Sequence, residues 1–308
     1  MDFVIFIVAM ASLIYGADFI IKESERIALH FNISHFVIGA TLVAFGTSLP
    51  EMAASMMAAG VNKSDMAVAN VIGSVIFNIT LVLGAVFILS KQMKTERDLF
   101  AKDSAWVIVP IIIFLLMSQD GEIGRIDGVL YLLVMVSYLI FLFTSSKDDL
   151  EGEIDESLKE AFNWPKTIAL LVLGFAFTIG GANFVIESGA NIARDFGISE
   201  WIIGIFLISL GTSLPELVVS LVALKKGSAE MSIGNIIGSN VANFSMVLGA
   251  ASLVSPLNID LSANQYDILV MIGASLTLLF IIANKLYNKA GGIFLLTILA
   301  LFIQNAVV

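Results

Sequence analysis

Hydrophobic positions along this chain run on without alternating. IIIFLLMS (Ile111 to Ser118) and ILVMIGASLTLLFIIA (Ile268 to Ala283) are continuous apolar stretches. A strand exposed on one face alternates apolar and polar residues, and so do the strands of an outer-membrane barrel. A helix that crosses a bilayer needs about 20 mostly apolar residues. Ten stretches approach that length: 2–22, 35–60, 66–90, 104–118, 126–145, 165–187, 199–224, 231–254, 265–284 and 291–307. The fourth is short and is expected to extend past these bounds. The first begins Met-Asp with no basic flank, unlike a signal peptide. The expected fold is an all-α polytopic membrane protein with ten transmembrane helices.

Composition agrees. Apolar residues make up 58% of the 308, charged residues 14%, and mean hydropathy is +0.96. A soluble domain carries roughly 45–50% apolar and about 25% charged residues. The net charge of −10 does not suit a nucleic-acid partner, which selects basic surfaces. There is no cysteine, hence no disulfide framework and no thiolate site. The basic residues set an orientation. With the N-terminus outside, 13 of the 16 Lys and Arg fall in cytoplasmic connections, leaving Lys63, Arg125 and Arg194 outside. The positive-inside rule therefore predicts both termini outside and the acidic segment 147–160 in the cytoplasm.

The chain repeats itself. GADFIIKESERIALHFNISHFVIGA (Gly16 to Ala40) matches GANFVIESGANIARDFGISEWIIGI (Gly181 to Ile205). GTSLPE (Gly46 to Glu51) recurs unchanged at Gly211 to Glu216, and ANVIGSVIFNITLVLG (Ala69 to Gly84) recurs as GNIIGSNVANFSMVLG (Gly234 to Gly249). The offset is 165 throughout, without a gap. Each copy holds five spans, an odd number, so the copies insert upside down relative to each other. The predicted units are 1–146 and 165–308, joined by an acidic linker over 147–164. Inverted repeats are a common build of secondary transporters, whose sites lie near the midplane where the halves meet.

Each repeat buries one carboxylate deep in an apolar span, Glu51 and Glu216. A charge there costs at least ~2.5–3.5 kcal/mol, and no Lys or Arg lies in these spans to offset it. Pro50 and Pro215 deny the helix a donor and clash with the carbonyl four residues back, freeing backbone oxygens at mid-membrane depth. Such oxygens are tolerated only inside protein or facing a hydrated cavity. Thr47 and Glu51 are four apart, on one face of a helix; Thr212 and Glu216 repeat this. Ser74 and Asn78, then Ser239 and Asn243, supply a second duplicated polar face, and Gly73 and Gly238 allow close backbone approach. The donors are oxygens, with neither thiolate nor imidazole among them. They suit Ca²⁺, Mg²⁺ or Na⁺ over zinc or copper, and a dehydrated cage with loose geometry favours Ca²⁺ over Mg²⁺. Two bare carboxylates in the barrier oppose crossing, whereas one Ca²⁺ or several Na⁺ offset them, which argues for counter-transport.

These motifs resemble those of the cation/calcium antiporter superfamily, with the prokaryotic sodium/calcium exchangers as the most similar branch. The resemblance implies a ten-helix fold whose second, third, seventh and eighth helices form the ion core while the first and sixth slide against it. It implies that Glu51 and Glu216 bind calcium through carboxylates, and Thr47 and Thr212 through backbone carbonyls. Sodium sites would add Ser48, Ser74, Ser213 and Ser239 with the carbonyls of Ala44 and Ser209, and Asn78 and Asn243 would line the centre. Parts of the family carry an aspartate at one of these two central positions; here both are Asn. The implied function is sodium/calcium antiport, with Na⁺ and Ca²⁺ as cargo, no cofactor, no enzymatic activity, a monomer sufficient for transport, and residence in a prokaryotic plasma membrane. A proton/calcium or other divalent-cation antiporter is the alternative, although the Gly-Asn-x-x-Glu type motif usual in proton/calcium members is absent. A channel is disfavoured by the repeat within one chain. An intramembrane hydrolase using Ser48 or Ser213 lacks a membrane-embedded base.

Other groups read as structural. Asp18 and Glu187 sit near the expected ends of the first and sixth spans and read as interfacial. His30 and His35 fall in a predicted cytoplasmic connection. The 147–160 segment lacks the spacing of an EF-hand loop and reads as a solvated linker.

Overall fold

The computed structural model describes residues 1–90, 93, 95, 97–145, 162–197 and 211–307. The helices are α1 (Asp2–Phe31), α2 (His35–Thr47), α3 (Leu49–Gly60), α4 (Ser64–Leu89), α5 (Leu99–Met117), α6 (Arg125–Ser145), α7 (Trp164–Asp195), α8 (Leu214–Lys225), α9 (Ala229–Val254), α10 (Gln265–Ala283) and α11 (Lys289–Val307). Seven of them are long and apolar enough to cross a membrane, and α2 with α3 forms a further span bent by 43°. The acidic segment 147–160 and the first part of the seventh expected span, 199–210, lie outside the described residues.

Local signals set the helix ends. Ser34, Asp98 and Asn163 cap α2, α5 and α7 by accepting from Val37 N (3.4 Å), Ala101 N (3.1 Å) and Lys166 N (3.1 Å). Asn32 closes α1 in the left-handed conformation, at φ 56°. Three features depart from the sequence expectation. First, α1 and α7 continue well past residues 22 and 187, because the amphipathic stretches that follow remain helical. Asp18 and Glu187 are consequently interior to their helices and not at the ends, while His30 is helical and stacks on Phe162 at 4.1 Å and His35 opens α2. Second, the chain is not wholly helical: Glu122–Ile123 (β1) pairs antiparallel with Leu257–Asn258 (β2). Third, Arg97 is buried, although the charge count places it in a solvated connection. Its guanidinium grips Asp103 at 2.7 and 3.0 Å and lies 4.6 Å from the centre of the Phe36 ring. A bidentate pair of this kind satisfies both charges away from water.

Burial separates centre from periphery. In α4 and α9, 78% of the apolar span is buried inside the protein, against 28–39% in α1, α5, α6, α7 and α10. The two repeat-equivalent helices α4 and α9, with the largely buried α2, therefore form the core, and α1, α5, α6, α7 and α10 turn a face outward. Glycine sets the close approach of α9 to α2. A Cβ at Gly234 would fall 2.3 Å from the Phe36 carbonyl oxygen, and one at Gly238 would fall 2.4 Å from that of Ala40. Along the periphery α1 lies against α7. Ser12 donates to the Phe177 carbonyl at 3.1 Å, and Gly16 meets Gly174 and Thr178.

Candidate ion-binding site

The span holding Glu51 breaks where the proline requires it. Thr47 ends α2, Ser48 adopts φ −84° and ψ 3°, and Pro50 lies in the first turn of α3. Ser213 has φ −87° and ψ 3° before Pro215 in α8, so the bend recurs in the second repeat. Thr47 and Glu51 thus do not lie on one continuous helix face, as i, i+4 spacing suggests. They flank a bend, with Glu51 in the first turn of α3.

Both carboxylates are buried, Glu51 at 1% and Glu216 at 0% exposure. The Ser48 hydroxyl donates to Glu216 Oε1 at 3.4 Å, bridging the repeats. Thr212 lies beside Glu51 and Thr47 beside Glu216, and the two acids are near enough to repel each other. Among the described residues, neither Glu51 oxygen nor Glu216 Oε2 accepts a hydrogen bond. Ser74, Ser213 and Ser239 hydroxyls, the Asn78 Oδ1 and both polar atoms of the Asn243 amide are likewise buried without a protein partner. Buried polar atoms are nearly always paired, and the unpartnered ones include those of both duplicated motifs, beside scattered groups such as Ser24, Tyr131, Tyr138 and Ser275. The site is oxygen-rich and doubly acidic. Among the described residues, no group of three Asp, Glu or His side chains forms a metal site.

Helices α4 and α9 deliver their side chains through a shared irregularity. Each widens to a π-helical stretch, Asn78–Leu83 in one and Asn243–Leu248 in the other. Just inside, Thr80 donates to the Ile76 carbonyl at 2.6 Å and Ser245 to that of Val241 at 2.5 Å. Back-bonding of this type bends helices, and π stretches re-aim side chains. Asn78 Nδ2 donates to Asn240 Oδ1 at 3.1 Å. The Ala44 carbonyl accepts from Ser48 N at 3.0 Å and Thr47 Oγ1 at 3.2 Å. Ser209 lies outside the described residues.

Asn70 and Asn235 were not among the residues expected at the site, yet they tie the repeats together reciprocally. Thr47 Oγ1 donates to Asn235 Oδ1 at 3.3 Å and Thr212 Oγ1 to Asn70 Oδ1 at 3.5 Å. Each amide nitrogen then donates to a serine of its own repeat, Asn70 to Ser55 and Asn235 to Ser220, both at 3.0 Å. Asn70 also donates to the Glu51 carbonyl at 3.2 Å. A signal existed: Asn70 and Asn235 stand 165 apart inside the repeated motif, as do Ser55 and Ser220. Asn240 carried no such signal, since its counterpart is Val75.

Among the described residues, the site is bordered differently on its two sides. On one side α1 seals it: Ala17, Ile20, Ile21 and Ala28 pack with Ile38, Val43, Val219, Ala223 and Met231. On the other, a cavity of about 160 Å³ reaches Pro50, Gly211, Thr212 and Pro215 past Ile179, Ala182, Asn183 and Ile186 of α7. Val219 is buried whereas its repeat counterpart Ala54 is exposed, and Val222 is half-buried whereas its counterpart Met57 is 73% exposed.

A bundle of apolar helices around a buried, duplicated carboxylate site defines a polytopic membrane protein of the cation-transporting kind. The family model for sodium/calcium exchanger proteins matches residues 1–144 and 166–308, and the chain belongs to that family. It is 36% identical over 286 residues to an uncharacterized membrane protein of Methanocaldococcus jannaschii, covering 93% of this chain and 90% of that one. It is 31% identical over 324 aligned residues to the sodium/calcium exchanger MaX1 of Methanosarcina acetivorans, covering 92% and 91%. Among solved structures it is similar to the sodium-calcium exchanger NCX_Mj soaked with Na⁺ and Sr²⁺, with a TM-score of 0.83, 33% identity and coverage of 98% and 97%.

Proposed function

We propose that this protein exchanges sodium for calcium across a prokaryotic plasma membrane by alternating access at the duplicated site. The observation that carries the reading is the pair of buried glutamates, Glu51 and Glu216, with three of four carboxylate oxygens unpartnered by protein. Two carboxylates neutralise one Ca²⁺, which accepts about 6–8 oxygens in loose geometry. Glu51 and Glu216 supply carboxylate oxygens and the Thr47 and Thr212 carbonyls complete the calcium site. Ser48, Ser74, Ser213 and Ser239, with the Ala44 and Ser209 carbonyls, hold sodium, and Asn78 and Asn243 line the centre. The ions are cargo, and one chain carries the whole site.

The reading includes ten spans in two inverted repeats over 1–146 and 165–308, joined by a cytoplasmic linker over 147–164, with both termini outside. Polar contacts among groups read as lying on the same side support it. Asp18 meets Lys226, Glu25 meets Ser228, Glu23 meets Thr167 and Arg97 meets Glu230, all on the side read as cytoplasmic. Asp2 meets Asn191, β1 meets β2 and Tyr266 meets the Leu301 carbonyl on the other. The seal by α1 and the cavity beside α7 then make this an outward-facing state, with α1 and α7 the sliding pair.

Glu51→Gln and Glu216→Gln are expected each to abolish calcium uptake by sodium-loaded proteoliposomes while leaving the protein folded. Uptake by either mutant at the wild-type rate removes the central site.

A further inference from the structure

The cavity beside α7 has an image on the sealed side. Shifting its lining by 165 exchanges Pro50 with Pro215, so both prolines belong to both paths. The same shift turns Gly211 and Thr212 into Gly46 and Thr47, and Ala182, Asn183 and Ile186 into Ala17, Asp18 and Ile21. Asn183 is exposed in the open cavity, alongside Thr212, which lies next to Glu51. Asp18 occupies the equivalent place on α1, where Ile21 is 0% exposed while its counterpart Ile186 beside the cavity is half-buried. There Lys226 Nζ caps it, 2.6 Å from Oδ1 and 3.3 Å from the Asp18 carbonyl. Lys226 corresponds to Val61, so the open side has neither the carboxylate nor its cap.

We propose that Asp18 is an entry carboxylate on the cytoplasmic ion path, capped by Lys226 while that side is closed and presented to incoming calcium when it opens, with Asn183 as its uncharged counterpart outside. The proposal rests on the exchange reading above. Its consequence is sidedness: a site otherwise symmetric would take calcium at lower concentration from the cytoplasm than from outside. A carboxylate several ångströms from a divalent cation in a hydrated path changes its occupancy by about three- to tenfold, and salt weakens the effect. The pair with Lys226 is partly exposed, at 44% and 26%, so exchanging its lysine for a calcium ion is a mild step.

The test measures half-saturating Ca²⁺ separately at each face, in inside-out and right-side-out vesicles. Asp18→Asn is expected to raise the cytoplasmic value about three- to tenfold and to change the outer value by less than about twofold. Asn183→Asp is expected to lower the outer value by a similar factor, which keeps the proposal testable if the α1 variant fails to fold. The double exchange Asp18→Lys with Lys226→Asp rebuilds the ion pair but leaves no carboxylate at position 18, so its cytoplasmic value stays raised. Equal shifts at both faces for Asp18→Asn, no shift at all, no outer gain with Asn183→Asp, or restoration by the double exchange each overturn the proposal. Failure of the underlying reading is distinct, because wild-type vesicles would then show no sodium-coupled calcium flux.

Discussion

At the scale of single residues, the site is built from groups that protein alone leaves unsatisfied. Among the described residues Glu51 and Glu216 are buried without a paired lysine or arginine, while the buried Arg97 and Asp103 pair bidentately. The asparagines divide into two roles. Asn70 and Asn235 are fully engaged, each holding a threonine of the opposite repeat and a serine of its own. Asn243 has no protein partner for either polar atom. Asn70→Ala and Asn235→Ala should therefore weaken calcium binding to similar extents, about tenfold each, the worth of about one buried hydrogen bond. Binding titrations on the purified protein measure this, and a loss confined to one of the two mutants would contradict the reciprocal geometry. Asn243→Asp should change ion coupling or the pH dependence of transport while leaving the fold intact. Kinetics identical to wild type across pH would show that the third acid is silent.

At the scale of elements, the fold depends on backbones that meet without side chains between them. Gly234 and Gly238 of α9 face the Phe36 and Ala40 carbonyls, which cannot rotate away as a side chain could. Gly238→Ala should lower stability by about 1–3 kcal/mol, as overpacking does, read as a lower thermal midpoint in detergent; an unchanged midpoint would show that α2 can shift to accommodate it. The sequence showed the repeat, the acids and the prolines, because each leaves a mark that survives a shift of 165. It also marked the proline bends at Ser48 and Ser213. It did not show that α1 and α7 run on to Phe31 and Asp195, because residues 23–31 and 188–195 are too polar for a hydropathy criterion yet stay helical. Asn70 and Asn235 carried the repeat signal but stand apart from the Ser74–Asn78 and Ser239–Asn243 faces, and Asn240 carried none because its repeat partner is Val75. The π stretches beginning at Asn78 and Asn243 each contain a hydroxyl bonded back to a carbonyl, Thr80 and Ser245, and spacing alone does not reveal them.

At the scale of the whole molecule, the described residues of the two related halves pack unequally beside Pro50 and Pro215, which is what the proposed alternating access requires of an outward-facing state. The side closed by α1 and the side opened beside α7 should exchange when the protein turns over. The chain has no cysteine, so single-cysteine variants read this cleanly. Asn183→Cys should react with a membrane-impermeant maleimide from outside, and Ala17→Cys, buried here, should react only from the cytoplasm and only under conditions that favour the other state. Reaction of Ala17→Cys from outside would contradict the assignment of faces. The central claim is coupled exchange at the two-glutamate site. Its most direct test is radioactive calcium uptake into sodium-loaded proteoliposomes diluted into sodium-free buffer, with sodium on both sides and a pH gradient without sodium as controls. The account predicts uptake that requires the outward sodium gradient and disappears in Glu51→Gln and Glu216→Gln. Uptake driven by the pH gradient alone, or calcium leakage indifferent to sodium, would contradict it.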